Sequence, residues 1–343
     1  MLFLGQHGFE NLLAGELTGA GLTVAETGPG WARAEPVPGD AIRASLGDFA
    51  FPQLTLIAPE EFTGESVNAL AQALAGSFLA SLRGERIEAE WPCVFLAAAE
   101  IPGLGRRVSS VENAFREIVR KKLARIDRLA VADLPRGPGP ARGWVVFFPT
   151  FQRAFAAREF WRGGQRRMAD DPAAPSRSYL KIEEAFVILG AEPAEGETVC
   201  DLGAAPGGWS YSAAKRGARV VAIDNGPLKG GALDHALIEH RREDAFRFAP
   251  GDGRVFDWLF CDIVEEPHHV LRDIVGPWLS RGWCRRFVVN LKLGRADPLG
   301  FLRELRAADS PLAAAGASLR IRHLYHDREE FTVVGVIGTR PSA

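Results

Sequence analysis

The sequence reads Asp201-Leu202-Gly203-Ala204-Ala205-Pro206-Gly207-Gly208-Trp209 directly after the apolar run Thr198-Val199-Cys200. A glycine-rich turn between a strand and a helix lets a ligand approach the backbone closely. The glycine spacing, G-x-x-x-G-G, differs from the G-x-G-x-x-G of dinucleotide-binding dehydrogenases. An acid just before the first glycine would also repel a pyrophosphate. It suits a ligand that carries positive charge, such as the amino-acid end of S-adenosylmethionine, and a generic loop is the alternative.

Three further acids follow apolar runs downstream. Asp224 lies 16 residues after Gly208, Asp262 ends the run Trp258–Cys261, and Asp244 lies where a third strand would end. Open α/β sheets bind ligands at the carboxyl ends of their strands. Asp224 could accept hydrogen bonds from ribose hydroxyls and Asp244 from an adenine amino group. Any one such acid alone is more often an exposed turn or N-cap residue, and it is their joint placement that indicates a site.

The second half of the chain alternates strand-like and helix-like segments. Continuous apolar runs separated by helical stretches are typical of a parallel sheet covered on both faces. The last two runs, at 318–325 and 330–338, are too close together for a crossover helix, which predicts antiparallel neighbours. The first half mixes helices at 9–19, 65–82 and 111–128 with short strands, which predicts an α+β region.

Length and composition limit the number of domains and the classes of protein to which the chain can belong. The chain has 343 residues, 41 Lys and Arg against 43 Asp and Glu, and four cysteines without C-x-x-C spacing. These values predict about two domains, a reducing cytoplasmic location, no zinc site and no uniformly basic surface. We expect an N-terminal α+β region over 1–160, a Gly/Pro/Ser-rich linker over 161–177 and an α/β domain over 178–343. No apolar run reaches the ~20 residues that span a bilayer, and a signal peptide is not expected.

Several motifs together resemble the FtsJ-like 2′-O-ribose methyltransferases, and among them the RlmM-type enzymes. They are the turn Asp201–Trp209, Ser176–Phe186, Asp224–Pro227, Cys261–Glu265, Gly282–Arg285, Asn290–Leu293 and Leu324–Glu330. The match covers about 176–335 and follows the family's order. The resemblance implies a Rossmann-like class I domain whose mixed sheet has an antiparallel last strand, preceded by an RNA-binding THUMP-like domain. It also implies methylation of a cytidine ribose in large-subunit (23S) ribosomal RNA.

The resemblance places the family's Lys-Asp-Lys-Glu tetrad on Lys181, Asp262, Lys292 and Glu330. Lys292 would be the general base, with Asp262 orienting it and Lys181 and Glu330 positioning the ribose. On the residues alone, Lys292 could be a strand-end lysine that reaches solvent, and only one of Glu329 and Glu330 can face the site. The cofactor-binding residues implied are Ser178, Asp201, Gly203, Ala205, Pro206, Gly207, Gly208, Asp224, Asp244 and Asp262. Ser178 could instead be merely the N-cap of a helix at 180–189.

Ribosomal RNA is the expected partner, and the protein is expected to act as a monomer without a metal or a membrane. Residues 106–128 carry eight basic and three acidic side chains, a net charge of +5, which suits phosphate binding; a solvated helix face is the alternative. Two other functions remain open. One is a non-catalytic RNA-binding or ribosome-assembly factor that retains a cofactor pocket, and the other is a methyltransferase that acts on a base.

Overall fold

A computed structural model describes residues 1–36, 41–82, 84–251, 253–314 and 317–338. The chain divides into two compact units. The N-terminal unit comprises Met1–Gly47 and Phe51–Gly164, and the C-terminal unit comprises Asp48–Ala50 and the residues from Gln165 onward. A strand continues through Arg162, two residues into the range 161–177 that the composition predicts as a linker.

The N-terminal unit is built on a nine-stranded mixed sheet in the order β2-β3-β1-β4-β9-β8-β6-β7, with β5 also paired to β9. Its strands are β1 Leu2–Leu4, β2 Val24–Gly28, β3 Trp31–Ala34, β4 Leu54–Ile57, β5 Glu60–Thr63, β6 Trp91–Ala97, β7 Ala130–Val131, β8 Gly139–Phe148 and β9 Arg153–Arg162. Its helices are α1 Glu10–Gly19, α2 Ala41–Ser45, α3 Val67–Ser81, α4 Leu104–Lys122 and α5 Ala124–Leu129.

Helix α4 is strongly amphipathic. Its buried residues recur every three or four positions, at Leu104, Val108, Val111, Phe115 and Val119, which is the spacing of one helical face. Phe115 packs in an aromatic cluster with Phe78 and Trp144. The basic residues of α4 therefore lie on other faces, and Arg120, Lys121 and Lys122 at its last turn are exposed.

The C-terminal unit confirms the predicted α/β architecture. Its seven strands run in the order β12-β11-β10-β13-β14-β16-β15, and the last two are antiparallel as predicted. The strands are β10 Thr198–Leu202, β11 Arg219–Ile223, β12 Ile238–Arg241, β13 Phe256–Cys261, β14 Cys284–Lys292, β15 Ala317–Arg322 and β16 Glu330–Ile337. The α-helices are α6 Tyr179–Leu189, α7 Gly208–Ala214, α8 Pro267–Val270, α9 Gly276–Ser280, α10 Pro298–Arg306 and α11 Pro311–Ala314.

The helix-like stretch between β13 and β14 is three short segments rather than one helix. A π-helical turn, Leu271–Val275, separates α8 from α9. Apolar residues recur through all three segments, so hydrophobic periodicity alone does not predict the breaks between them. Pro277 near the start of α9 supplies no backbone N–H, so regular i to i−4 bonding is interrupted there.

Among the described residues, no helix combines the length and apolar character that a membrane crossing requires. The same residues contain no group of three or more His, Cys, Asp or Glu side chains that could hold a metal ion. All four cysteines are buried free thiols.

Candidate active site

Five parallel strands, β10 to β14, end at one edge of the C-terminal sheet. Leu202 of β10 pairs with Ile223 of β11 and Cys261 of β13, and β14 runs parallel beside β13. Because parallel strands present their carboxyl ends together, the residues that follow them are neighbours. This edge therefore holds the glycine turn, Asp224, Asp262 and Lys292.

Two glycines of the turn have no room for a side chain. Gly203 has φ +76°, and a Cβ there would lie 2.5 Å from Ile263 Cγ1. Gly207 has φ +107°, and its Cβ would lie 2.5 Å from that of Ala232. Both backbone conformations favour glycine, and the absence of a side chain lets the turn pack directly against Ile263 and Ala232.

The Asp224 carboxylate organises the same turn. It accepts hydrogen bonds from the backbone N–H groups of Ala205, at 3.0 Å, and Gly226, at 2.6 Å. The Pro206 carbonyl accepts from the Lys229 N–H at 2.9 Å. A carboxylate has about four acceptor positions, so Asp224 retains capacity for ribose hydroxyls.

Asp201 is a buried acid with spare hydrogen-bonding capacity. Its Oδ2 accepts from the Ser210 hydroxyl at 2.6 Å, whereas its Oδ1 is buried and has no partner within the described residues. Burial raises the pKa of Asp201 to about 7, against the Ser210 hydrogen bond, and the nearby Asp262 and Asp224 carboxylates add to the rise. An acceptor left in this state suits a ligand that brings a donor and a positive charge.

Ser178 occupies the N-cap position of helix α6, but it does not cap the helix with its side chain. Its backbone is already helical and its side chain makes no capping hydrogen bond. Its Oγ lies 2.8 Å from Ser176 Oγ, and a Cβ added to Gly208 would lie 3.1 Å from both hydroxyl oxygens. The two serines therefore contact the start of α7, beside the glycine turn.

Asp244 lies three residues beyond the end of β12. Its Oδ1 accepts from the Phe246 N–H at 2.9 Å, and about half of its side chain is exposed. Its contact with an adenine amino group remains a prediction.

The structure brings the four tetrad residues together. Lys292, the last residue of β14, is the cross-strand partner of Glu330, the first residue of β16. Its Nζ lies 2.5 Å from Asp262 Oδ1 and 2.9 Å from Glu330 Oε2. The other oxygen of Glu330 accepts from Lys181 Nζ of α6. Glu330 is buried and joins both lysines, whereas Glu329 is exposed.

The neighbouring carboxylates determine the protonation state of Lys292. Burial disfavours its ammonium form, but the Asp262 and Glu330 carboxylates outweigh burial and raise the pKa of Lys292. The raised pKa keeps Lys292 as an ammonium cation in the ligand-free site. A general base must be neutral, so the general-base interpretation requires that the pKa of Lys292 be lowered. Burial also acts against the charged form of Glu330, but Lys181 and Lys292 prevail and lower its pKa.

Three side chains beside the tetrad were not singled out by the sequence. Asn290 Oδ1 lies 2.6 Å from Lys292 Nζ, and Asp327 and Thr332 hydrogen-bond the Asn290 amide nitrogen. The available signal was a polar residue inside the apolar run Val288–Leu293, two positions before Lys292 and hence on the same face of the strand.

This parallel sheet with an antiparallel last strand and a lysine-carboxylate cluster at its carboxyl edge defines a Rossmann-like class I methyltransferase domain. Residues 174–276 match the family model for FtsJ-like methyltransferases.

The chain belongs to the family of the proteins named ribosomal RNA large subunit methyltransferase M. It is 39% identical over 251 residues to that protein of Methylococcus capsulatus, covering 67% of this chain and 70% of the relative. The protein of Laribacter hongkongensis is 38% identical over 67% of this chain and 66% of its own length. That of Halorhodospira halophila is 44% identical over 57% of each. The matched region thus spans between just over half and 70% of these relatives.

Proposed function

We propose that the protein is an S-adenosylmethionine-dependent methyltransferase of the 2′-hydroxyl of a cytidine in 23S ribosomal RNA. It would act in the cytoplasm as a monomer, without a metal. The single observation that carries the proposal is the pairing of Lys292 with both Glu330 and Asp262 at the strand ends. A methyltransferase that acts on a base has no evident use for two lysines bridged by one carboxylate.

The residues of the glycine turn fit the cofactor. Asp201 offers a buried, unpaired acceptor for an amino group, and Asp224 stands at the end of β11 for the ribose hydroxyls. Ser178, Ala205, Pro206, Gly207 and Gly208 line the same turn. When bound, S-adenosylmethionine supplies a methyl group on a positively charged sulfur.

The reaction requires that the 2′-hydroxyl lose its proton. A positioned base contributes about 10²–10⁴-fold to such a step. Lys292 can accept the proton only as a neutral amine, and the ligand-free site favours the ammonium. An additional positive charge nearby opposes protonation and lowers the pKa of a lysine. We therefore infer that Lys292 becomes a base only in the loaded site.

A cleft of about 550 Å³ opens beside Lys292, within the usual size range of small-ligand sites. Val264, Pro267, Leu293 and Arg295 lie along it. Val264 is 86% exposed, and Arg295 is an exposed cation. An apolar wall with a cation at its rim suits a nucleotide, whose base is flat and whose phosphate is anionic.

We further propose that the N-terminal unit, with the THUMP-like character expected of it, binds RNA. The basic end of α4 supports this, because Arg120, Lys121 and Lys122 are exposed and phosphate contacts supply most of the affinity of non-specific RNA binding.

The function is tested by methyl transfer to defined RNA. Ribosomal RNA from a strain that lacks the gene is incubated with the protein and labelled S-adenosylmethionine, and ribose and base methylation are mapped separately. We expect a single 2′-O-methylated cytidine in 23S RNA, absent from the deletion strain before incubation. Label on a base, or no label on any ribosomal RNA, would contradict the proposal.

Cofactor binding should release protons from Asp201. An acid with a pKa of about 7 is half protonated at pH 7, and a bound ammonium would stabilise its charged form. We expect release of up to about half a proton at pH 7 and an affinity that rises from pH 6 to pH 8. Calorimetry in buffers of different ionisation enthalpy measures the release. It should vanish in Asp201→Asn and persist in Asp257→Asn, which alters an acid at the start of β13.

A further inference from the structure

Five side chains, two of them lysines, form a closed ring. Lys292 contacts Glu330, Glu330 contacts Lys181, and Lys181 Nζ lies 4.0 Å from Asp327 Oδ1. Asp327 Oδ1 accepts from Asn290 Nδ2 at 3.2 Å, and Asn290 Oδ1 returns to Lys292 Nζ at 2.6 Å. The ring contains the tetrad members Lys181, Lys292 and Glu330 and adds Asn290 and Asp327.

The amide of Asn290 can adopt only one orientation in this ring. Its Nδ2 donates to Asp327 and, at 2.9 Å, to Thr332 Oγ1. The reversed amide would place an NH₂ group against the Lys292 ammonium, which cannot accept a hydrogen bond. Asn290 and Thr332 are cross-strand partners, as are Lys292 and Glu330, so the two pairs lie in sequence on one face of the sheet.

Asp327 fixes that orientation from a fully buried position. It is 2% exposed, and its carboxylate accepts from the Leu324 N–H at 2.9 Å and from the Thr332 hydroxyl at 3.1 Å. Burial raises the pKa of Asp327 to about 7, against the charge of Lys181. Asp327 is thus a buried acid close to Lys181 that the tetrad does not include.

Every side chain within hydrogen-bonding distance of Lys292 in the described part of the chain is an acceptor: Asp262, Asn290 and Glu330. An ammonium has three N–H donors, so these acceptors satisfy it completely. Asn290 is the one uncharged acceptor, and its amide cannot turn to donate. The protein therefore offers a neutral Lys292 amine no donor for its lone pair, so a substrate hydroxyl that donates to this amine must take the place of one of these acceptors.

We propose that Asn290 and Asp327 are positioning residues: the Asn290 amide, locked by Asp327 and Thr332, aims the Lys292 amine and links its charge to that of Lys181. The expected effects on the rate of methyl transfer rest on the proposed function. The expected ordering of the Lys292 amine rests on the ring alone. Besides Lys292, three members of the ring are charged or titratable: Lys181 of α6, Asp327 before β16, and Glu330. The further charged and titratable groups that face the ring from the surrounding elements are Asp262 and Cys261 of β13 and its following loop, Glu184 of α6, and His323 and His326 before β16.

Asn290→Asp tests whether residue 290 influences the pKa of Lys292, because it replaces the one neutral acceptor with a carboxylate of the same shape. A neighbouring opposite charge shifts a pKa by about 1–3 units. The limb of the pH–rate profile that reports Lys292 deprotonation should therefore move upward by about one unit or more in single-turnover methyl transfer. Cofactor affinity, measured beside it, shows that the variant is folded. A profile that superimposes on the wild type would overturn the link.

Thr332→Val tests the lock with a matched control. The variant removes the hydroxyl that holds Asn290 and Asp327, whereas Thr198→Val removes a hydroxyl bonded to Asp257 at the opposite end of the sheet. The loss of one hydrogen bond of typical strength corresponds to about a tenfold change in rate. We expect kcat to fall about tenfold with an unchanged KM for RNA in Thr332→Val only. Equal behaviour of the two variants would overturn the lock, even if Asn290→Asp does not fold.

A measurement without RNA separates this inference from the proposed function. The chain has six lysines, so ¹⁵N-lysine spectra are simple, and Lys292→Arg assigns the signal. The Lys292 ammonium should give a signal protected from solvent exchange in the wild type and in Thr198→Val, and lose protection in Asn290→Ala. If the wild type methylates no ribosomal RNA, the proposed function fails while this result stands. An Asn290→Ala signal as protected as the wild type would overturn the ring instead.

Discussion

The Lys292→Ala variant is expected to lose methyl transfer while it still binds S-adenosylmethionine. The turn from Asp201 to Gly208 and the Asp224 carboxylate would hold the cofactor, and the hydrogen bonds of that turn do not involve the Lys292 amine. The lysine is needed when the hydroxyl proton leaves, so the loss should appear in kcat and be on the order of 10²–10⁴-fold.

Charge balance adds a second cost to the same variant. Lys181 and Lys292 neutralise Asp262 and Glu330, and Glu330 is buried. Removing Lys292 leaves one acid without its cation, so the C-terminal unit should also be less stable. Thermal unfolding with and without cofactor separates this effect from the kinetic one.

Two comparisons make the Lys292 experiment decisive. Lys292→Arg keeps the positive charge but cannot act as a base, because a guanidinium stays protonated, so it too should fail. Lys215→Ala removes a lysine that pairs with Asp171, outside the tetrad, and should retain transfer. Near-normal turnover in Lys292→Ala would remove this residue from the mechanism, and loss of cofactor binding would make its role structural.

Gly203→Ala is expected to weaken cofactor binding on the order of 100-fold, which corresponds to about 2.7 kcal/mol. The new Cβ would lie 2.5 Å from Ile263 Cγ1 and 3.3 Å from Ile263 Cα. Because the second contact is with the backbone, the strand end that carries Asp262 must move. A left-handed conformation adds about 1–2 kcal/mol for a non-glycine residue.

Gly190 provides the matched control. It has the same φ of +76° at the end of α6, but a Cβ there meets nothing within 4 Å. Gly190→Ala therefore carries the backbone strain without the collision, and should lower the thermal stability while leaving the cofactor affinity unchanged. Equal cofactor affinities in the two variants, measured by calorimetric titration, would show that the turn does not contact the cofactor.

The strand-end acids were predictable because a parallel sheet converts sequence order into spatial proximity. Asp201, Asp224 and Asp262 each follow or end an apolar run, and their common edge needs no further information. The preference for Glu330 over Glu329 came from the family resemblance. The register shows its physical reason, since alternation along β16 turns only one of the two toward Lys292.

What the sequence did not predict depends on distances between residues that are far apart in the chain. The protonation state of Lys292 is set by two carboxylates, one 30 positions before it and one 38 after it, whose oxygens lie within 3 Å of its Nζ. Asp327 lies in a loop segment whose burial no local pattern indicates. Ser178 has the residue type of a helix cap, but its backbone is helical and Ser176 takes its hydroxyl.

Because β16 lies between β14 and β15, methyl transfer depends on the correct register of this strand. Strands β15 and β16 pair with each other, and β16 also pairs with the edge of β14 opposite β13, where Lys292 meets Glu330. A slip of one residue would turn Glu330 to the opposite face and set Phe331 against Lys292. Both registers would bury many of the same apolar side chains, so a collapsed chain with native-like helix content need not be active. Recovery of methyl transfer during refolding should therefore lag behind recovery of circular dichroism, by the time the strand pair needs to find its alignment.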